Sequence, residues 1–415
     1  MEAEVSMDYR VIVLLILEAA LALFLLWRSG VLKTRAHWLV CVGLTVLAFV
    51  LRALVLDYET LDYQNFLAGW VDFYRTHGGW SALRWSLGNY NIPYLYFLAL
   101  ISYSGIRDLY LIKLLSILFD VLLAWGGLRL CARLGGGPRR QIACFFTLLL
   151  LPTVFLNGAL WGQCDSIYVA LAVLALALAL EDKPVRSMIC LALSFGFKLQ
   201  AVFVIPVFAV LLFNGKLKWY HLPVFPLTYV LLVLPAVFTG RPFIDTLTLY
   251  LSQTGSIGSG LNYNSSSIFA IFWNVQDPEA AASFAVIGAF VYLIALLALA
   301  FRFRSRLNGR AVLLLAVLMA VGIPFLLPHM HDRYFFAADA LTVALAFSLP
   351  EAAPAALLTQ FASLLGYHAY LKMRFFLPMQ YGAWALIAAL LLCFVCLVAE
   401  LHAQRDTKDG IRNSA

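Results

Sequence analysis

The stretch VIVLLILEAALALFLLW, residues Val11–Trp27, has a single charged residue and is long enough to cross a bilayer as a helix. Similar apolar runs recur along the chain. Of the 415 residues, 63% are hydrophobic and 12% are charged, about half the charged fraction of a soluble domain. This composition excludes a soluble enzyme, a disordered protein and a nucleic-acid-binding module. It predicts an all-α polytopic membrane protein.

The net charge of +7 comes from short basic clusters that lie between the apolar runs. The clearest clusters are Arg133 with Arg139 and Arg140, and Arg302 with Arg304, Arg306 and Arg310. Because Lys and Arg concentrate in cytoplasmic loops, these clusters indicate sidedness rather than binding of nucleic acid. The same rule predicts that the acidic start of the chain, with Glu2, Glu4 and Asp8, lies outside.

The apolar runs predict about thirteen membrane crossings, within a range of 11–14. The single runs are residues 11–27, 38–56, 111–130, 142–157, 166–180, 220–238, 284–301, 312–327, 334–349, 355–371 and 381–397. Residues 188–213 are predicted to form two short helices that meet at the outer side, because Lys198 interrupts the run. Residues 91–104 are too short to cross and are predicted to be re-entrant or interfacial.

Two long loops, residues 57–109 and 239–282, are predicted on the external side. The first contains Asp57, Glu59 and Asp62. Aromatic residues at helical spacing follow these acids and predict an amphipathic helix in the membrane interface: Phe66, Trp70, Phe73 and Tyr74. A carboxylate at this boundary can act as a general base toward a hydroxyl. The alternative is that the acids only solvate the loop.

A second polar group, His329, His331 and Arg333, is predicted at the external end of an apolar run. Such residues beside lipid are costly and commonly mark function. The guanidinium fork matches phosphate oxygens and a histidine adds a hydrogen bond, so the group predicts a phosphate-binding site. A metal site is disfavoured because no third ligand accompanies the two histidines, and we expect no metal or other cofactor.

The lysine and aspartate residues inside apolar runs include Lys198, Lys113 and Asp120. Lys198 is expected either to bind an anion or to pair with Asp165, and both roles place it at a polar cavity. Lys113 and Asp120 are seven residues apart, about 10 Å along a helix axis, so each is predicted to have a structural partner on another helix.

Three motifs occur in an order that resembles the GT-C superfamily of integral-membrane glycosyltransferases. The motifs are Asn157-Gly-Ala-Leu-Trp161-Gly-Gln163-Cys-Asp165-Ser166, Phe197-Lys198-Leu-Gln200 and His329-Met-His331-Asp332-Arg333. The chain looks most similar to mannosyltransferases related to GPI-anchor assembly enzymes, and next to the dolichyl-phosphate-glucose glucosyltransferases. The resemblance covers roughly residues 57 to 334. Asp332-Arg333 departs from the Glu-Lys pair of the glucosyltransferases, which weakens the assignment of glucose.

The resemblance implies an inverting hexosyltransferase, with mannose favoured as the sugar. The donor would be a polyprenyl-phosphate sugar, used as a co-substrate, and the acceptor a hydroxyl of a lipid or glycan on the extracytoplasmic or lumenal face. Asp62, which precedes Tyr63, matches the family's base best, with Asp57 and Glu59 as alternatives. The remaining implied site residues are Lys198, His331 and Arg333 at the donor phosphate, and Gln163, Asp165, Gln200 and His329 along the cavity.

The implied organisation has an N-terminal helix and basic loop in residues 1–37 and a GT-C-like catalytic core in residues 38–349. C-terminal helices follow in residues 350–400, and a cytoplasmic tail in residues 401–415. Besides donor and acceptor, the expected partners are membrane lipids, and a bacterial plasma membrane is favoured over the endoplasmic reticulum. A transporter or flippase of a lipid-linked sugar is the alternative. Transporters typically carry matching broken segments in two halves, and only one such segment is visible here.

Overall fold

The computed structural model describes residues 8–88, 90–254 and 258–413, and most of these residues are helical. Glu2 and Glu4 of the predicted acidic start lie outside the described residues. The first ten helices are α1 Tyr9–Arg28, α2 Arg35–Ala53, α3 Ala68–Thr76, α4 Ile92–Ile101, α5 Asp108–Arg133, α6 Pro138–Leu149, α7 Pro152–Phe155, α8 Asp165–Leu180, α9 Pro184–Phe197 and α10 Val207–Phe213.

The second half of the chain continues in the same way. Its helices are α11 Val224–Phe238, α12 Phe243–Leu247, α13 Leu249–Thr254, α14 Ile268–Ile271, α15 Pro278–Arg302, α16 Gly309–Leu326, α17 Phe336–Ser348, α18 Ala353–Leu371 and α19 Gln380–Asn413. The strands among the described residues are β1 Asn262–Tyr263 and β2 Met330–His331, which pair in parallel. The predicted tail, residues 401–415, is helical as far as Asn413.

Among the described residues, seven helical segments are long and apolar enough to cross a membrane: α1, α2, α5, α15, α16, Trp219–Phe238 around α11, and Met379–Gln404 within α19. An eighth is counted if α6 and Pro152–Trp161, bent by 44°, form one span. The chain is therefore a helical multi-pass membrane protein, which confirms the predicted class. The predicted thirteen crossings are not established, because α4, α8, α9, α17 and Leu199–Phe213 are shorter than a straight span requires.

Helix α8 forms the centre of the molecule, and all of its side chains are buried. Helix α5 packs closely against it and against α6. A Cβ atom on Gly127 of α5 would collide with Leu148 of α6, so the glycine permits the close approach of these two helices. In contrast, α1, α2 and α15 expose most of their apolar side chains at the periphery, as expected for helices that face lipid.

The segment predicted to be broken at Lys198 is broken there. Helix α9 ends at Phe197, and Lys198 adopts an extended backbone before a 3-10 turn and α10. Lys216 follows α10, and Asp182 lies two residues before α9. The Nζ atom of Lys216 lies 2.7 Å from Oδ1 of Asp182. The two short helices therefore lead to Lys198 and return to the same end of the bundle, as predicted.

Lys113, on α5, ties the first loop to the bundle. Its ammonium donates to the carbonyl oxygens of Val55 at 2.9 Å, Leu56 at 2.9 Å and Tyr58 at 2.7 Å. These carbonyls belong to the segment that follows α2 and leads into the acidic loop. The expected structural role of this lysine is confirmed, but its partners lie in the loop after α2 and not, as predicted, on another helix.

Asp120, also on α5, pairs with Arg52 of α2 at 2.8 Å, and both side chains are fully buried. Its other oxygen accepts a hydrogen bond from Ser166 of α8 at 2.5 Å. Arg52 also donates to the carbonyl of Leu149, where α6 ends before the bend. The predicted structural role of Asp120 is therefore confirmed, and the buried ion pair joins α2, α5, α6 and α8.

The amphipathic helix predicted in the first loop is α3, and its aromatic stripe is divided between two environments. Phe66, just before the helix, is 51% exposed, whereas Tyr74 is fully buried. Helix α3 packs against α4. The helix is therefore part of a folded loop and presents only some of its aromatic residues to the surroundings.

Candidate functional site

Asp62 lies half-buried between the first loop and the bundle. Its Oδ2 accepts hydrogen bonds from Trp161 Nε1 at 2.9 Å and from Gln163 Nε2 at 2.7 Å. Its backbone N–H donates to the hydroxyl of Tyr370 at 3.1 Å. Two segments that are distant in sequence therefore hold Asp62, one at its carboxylate and the other at its backbone N–H.

The two alternative acids of the first loop lie elsewhere. Asp57 accepts a hydrogen bond from Tyr110, and Glu59 pairs with Arg107. Asp57 is exposed and Glu59 is half-buried, at 32% side-chain exposure. These acids form an ionic cluster around Arg107, whereas Asp62 contacts the motif residues. Of the three candidate acids of the first loop, Asp62 therefore contacts the motif residues, whereas Asp57 and Glu59 lie in the ionic cluster.

The residues that hold Asp62 come from an irregular segment between α7 and α8. Leu156–Trp161 form a π-helical turn, a feature found frequently at functional sites. The chain then reverses at Gly162, whose φ of 78° suits glycine. The backbone N–H of Gln163 donates back to the carbonyl of Asn157 at 2.9 Å. This turn presents both Trp161 and Gln163 to Asp62.

Asp165, the first residue of α8, is the centre of a buried polar network. Its Oδ1 accepts a hydrogen bond from Lys198 Nζ at 2.6 Å, and its Oδ2 accepts one from Asn157 Nδ2 at 2.9 Å. Arg333 Nε lies 3.5 Å from the same Oδ2. Asn157 also donates to Tyr367 at 3.0 Å. Lys198 and Arg333 thus share one carboxylate, which leaves one net positive charge among the three side chains.

Trp161 connects this network to Asp62. The guanidinium carbon of Arg333 lies 5.3 Å from the centre of the Trp161 ring, a cation–π geometry. Tyr370 stacks on the indole at 4.1 Å with an interplanar angle of 12°. Since the indole N–H bonds Asp62, the acid and the arginine lie about one aromatic ring apart.

The two histidines have different surroundings. His329 holds the loop that precedes β1: its Nδ1 lies 2.7 Å from the carbonyl of Gly260, and its N–H donates to the carbonyl of Leu261 at 2.8 Å. His331 in β2 stacks on Tyr263 of β1 at 4.7 Å. Burial, together with the charges of Arg333 and Lys198, lowers the pKa of His331 to about 4, so its imidazole is neutral at pH 7.

Asp332, between the two basic candidates, is only 5% exposed. Its nearest charged partner is Arg333, at 3.5 Å from Oδ1, and that oxygen accepts no hydrogen bond within the described chain. Burial is the main cause that raises the pKa of Asp332, and the charges of Asp62 and Asp165 act in the same direction. Against the lowering effect of Arg333, the pKa is about 7. This carboxyl therefore titrates near neutral pH.

A cavity of about 600 Å³ opens beside these residues. Its polar lining includes Tyr90, Lys198, Gln200, His329, His331 and Arg333. Gln163 and Asp165 lie behind this lining and contact residues that form it. Gln163 Oε1 accepts a hydrogen bond from Tyr90 at 3.2 Å, and so links the cavity wall to Asp62. The Oε1 atom of Gln200 is buried without a hydrogen-bond partner within the described chain.

Sequence reasoning did not assign several residues that shape the site. Asn157 and Trp161 lie inside the first motif, so their position in the sequence could have indicated that they belong to the site. Tyr367 and Tyr370 lie on α18, and Tyr370 is 308 residues from the acid that it contacts. No local pattern in the sequence links such distant residues, and α18 reads as a generic apolar helix.

Within the described residues, no group of three or more His, Cys, Asp or Glu side chains is arranged to hold a metal ion. No protein-family model matches the chain, and no curated protein matches it. The family resemblance therefore remains a prediction, and any assignment of function depends on the geometry of the site.

Proposed function

We propose that this chain is a membrane glycosyltransferase of the GT-C type. It moves a hexose, with mannose favoured, from a polyprenyl-phosphate donor to a hydroxyl of a lipid or glycan acceptor on the extracytoplasmic face. The observation that carries the proposal is the contact of Asp62 and Arg333 with the same Trp161 ring, beside a cavity that Lys198 also lines. A carboxylate and a basic pair are thereby held close together.

In the proposed reaction, the oxygen of the acceptor hydroxyl attacks the anomeric carbon of the donor sugar, and Asp62 takes the proton of that hydroxyl. The bond from that carbon to the phosphate oxygen breaks, and the polyprenyl phosphate leaves with the bonding electron pair. The configuration at the anomeric carbon is inverted. The hydrogen bonds from Trp161 and Gln163 orient the carboxylate for this step. Such orientation contributes to general base catalysis because the proton must lie within hydrogen-bond reach.

Lys198 and Arg333 would stabilise the phosphate as it leaves. Fixed positive charge lowers the barrier most when it already lies where negative charge develops. Asp165 holds both cations in place before the donor binds, and Arg333 also lies 3.5 Å from Asp332. The two cations attract the phosphate most strongly when the Asp332 carboxyl is protonated. The neutral imidazole of His331 can donate one hydrogen bond to a phosphate oxygen.

The remainder of the cavity wall suits a lipid-linked donor. Leu199, Val202, Phe203 and Leu327 line it together with the basic residues. Val202 is 36% exposed at the surface of the bundle. An apolar wall beside a basic group matches a molecule that has a phosphate at one end and a hydrocarbon chain at the other.

We also propose that five further helices cross the membrane, namely α8, α9, α10, α17 and α18. Together with the eight segments described under the overall fold, they give thirteen crossings.

The test is transfer of radiolabelled mannose from synthetic polyprenyl-phosphate mannose by the purified protein, with membrane extract as the source of acceptor. We expect Asp62→Asn to lose transfer by about 100-fold or more, the usual contribution of a general base. The matched control is Glu59→Gln, which alters an acid of the same loop that does not contact Gln163 and should retain transfer.

Loss of transfer in Glu59→Gln but not in Asp62→Asn would move the base to the ionic cluster around Arg107. Absence of transfer with mannose, glucose or another lipid-linked hexose, together with movement of the donor across liposome membranes, would replace the proposal by the transporter or flippase.

A further inference from the structure

A second cavity, of about 950 Å³, lies at the end of the bundle remote from the candidate site. It is an open cleft lined by the ends of α1, α5 and α8 and by the start of α9. Ser116 of α5 donates to the carbonyl of Gln163 beside the candidate site, whereas Arg129 of α5 lines this cavity. Thirteen residues separate the two, about 20 Å along a helix axis. We name this cavity the basic cleft.

The rim of the basic cleft carries more positive charge than its own acids neutralise. Its charged lining residues are Arg28, Arg129, Arg133, Lys183 and Arg186, with Glu181 as the single acid. Glu181 accepts two hydrogen bonds from Arg129, at 2.8 and 2.6 Å, and one from Lys183 at 2.8 Å. Arg28 and Arg186 are exposed and form no ion pair within the described chain. Two guanidinium groups therefore remain for an external anion.

The walls of the basic cleft are apolar. They include Leu25, Leu128, Leu178 and Ile189, together with Trp125. The Arg129 guanidinium carbon lies 4.7 Å from the centre of the Trp125 ring, so the aromatic wall and the basic rim are in direct contact. This arrangement offers a phosphate-binding rim and, next to it, a surface on which a hydrocarbon chain can pack.

A preference of cytoplasmic loops for basic residues does not by itself account for this cavity. Arg302, Arg304 and Arg306 follow the same charge rule. Their guanidinium groups lie over the rings of Phe303, Phe301 and Phe303 respectively, and none of them lines the basic cleft. The basic residues of the cleft differ because they surround an open cleft whose walls are apolar.

We propose that the basic cleft binds one anionic phospholipid, with its phosphate on Arg28 and Arg186 and an acyl chain along Leu25 and Trp125. Basic pockets between transmembrane helices are a recognised form of lipid headgroup site. A zwitterionic lipid presents a compensating ammonium next to its phosphate, so the surplus of arginines favours an anionic headgroup. The bound lipid would hold the ends of α1, α5 and α9 together.

The test uses fluorescence of Trp125 in the full-length protein, reconstituted in phosphatidylcholine bilayers with a minor fraction of phosphatidylglycerol. Bromine is placed on the acyl chains of one lipid or the other, and the signal of Trp125 is the difference between the wild type and Trp125→Phe. We expect brominated phosphatidylglycerol to quench this signal more strongly than brominated phosphatidylcholine at equal mole fraction. The double variant Arg28→Gln/Arg186→Gln should reduce the preference by at least about fivefold.

The matched control is Arg302→Gln/Arg304→Gln, which removes the same charge from a basic cluster outside the cleft and should keep the preference. High salt should weaken the preference in the wild type, a result that depends on no variant. Equal quenching by the two lipids, or an unchanged preference in Arg28→Gln/Arg186→Gln, would overturn the proposal. Loss of the preference on addition of soluble glycerol phosphate would also overturn it, because the site would then bind a free phosphate.

Discussion

At the level of single residues, the pairing of Lys198 with Asp165 can be separated from its proposed role at the donor phosphate. As a structural partner it neutralises Asp165, which has 1% side-chain exposure. Removal of one member of a buried ion pair typically costs about 3–5 kcal/mol, since the other charge is left without its partner. We expect Lys198→Met to be destabilised and inactive. In Lys198→Met/Asp165→Asn the thermal stability should recover in part, because Arg333, which also loses Asp165 as a partner, keeps Asp332 at 3.5 Å. Transfer should remain lost.

Thermal unfolding in detergent and the mannose-transfer assay measure these two properties separately. Recovery of transfer together with stability in the double variant would show that Lys198 acts only as a structural partner. The exposed pair Lys216 and Asp182 provides the control, because Lys216→Met should change stability by less than about 1 kcal/mol.

The pKa of Asp332 predicts a pH dependence of stability. The value of about 7 in the folded protein exceeds the ordinary 3.8, so folding favours the protonated carboxyl. Its contribution to the free energy of unfolding is fully present below the ordinary value and is lost as the pH rises through about 7. With a shift of roughly three units, we expect the loss to reach at most about 4 kcal/mol. Asp332→Asn should remove this pH dependence.

The measurement is the melting temperature of the wild type and of Asp332→Asn between acid and neutral pH. His331 has the opposite dependence: its contribution is present above its ordinary pKa of 6.5 and is lost as the pH falls to about 4. Both proteins contain His331, so its contribution largely cancels in their difference. A difference that is constant with pH would contradict the raised pKa of Asp332.

At the level of elements, α18 supports the site through backbone contacts. A Cβ atom on Gly366 would lie 2.7 Å from the carbonyl oxygen of Asn264 and 2.9 Å from that of Asp332. Gly366→Ala must therefore displace the loops around β1 and β2. We expect about 1–3 kcal/mol of destabilisation, the usual cost of overpacking, and reduced transfer although no site residue is changed.

Gly288→Ala on α15 is the matched control, because a Cβ atom there would have no neighbour within 4 Å. Alanine has a higher helix propensity than glycine, so this variant should be unchanged or slightly more stable. Thermal unfolding and mannose transfer of the two variants test the contact. Normal stability and transfer in Gly366→Ala would show that the loops do not depend on close packing against α18.

The elements also show what the sequence could predict. The break at Lys198 was predictable because an ammonium inside an apolar run must meet an anion or water. For Lys113 and Asp120, the sequence predicts that a partner exists, because a buried charge requires one. It does not identify the partners, which are backbone carbonyls for Lys113 and Arg52 for Asp120. The contact of Tyr370 with Asp62 depends on how α18 packs, and neither composition nor periodicity encodes that arrangement.

In the whole molecule, ion pairs and hydrogen bonds connect the helix ends at each of the two ends of the bundle. Asp62, Trp161 and Tyr370 meet at one end of the bundle. At the other end, Arg129 pairs with Glu181, and Asn308 donates to Glu400 of α19 at 2.5 Å. The basic loops belong to this second end. From the positive-inside rule we predict that the second end faces the cytoplasm and that the candidate site faces the opposite side of the membrane.

This sidedness predicts the labelling of single introduced cysteines by a membrane-impermeant maleimide. Asp72→Cys, on the exposed face of α3, should react in intact cells, whereas Arg304→Cys should react only after the membrane is opened. The native cysteines are buried or half-buried, so the wild type provides the background. Reaction of Arg304→Cys alone in intact cells would invert the topology. Asp62 would then face the cytoplasm, and the donor would have to be a sugar phosphate presented on that side.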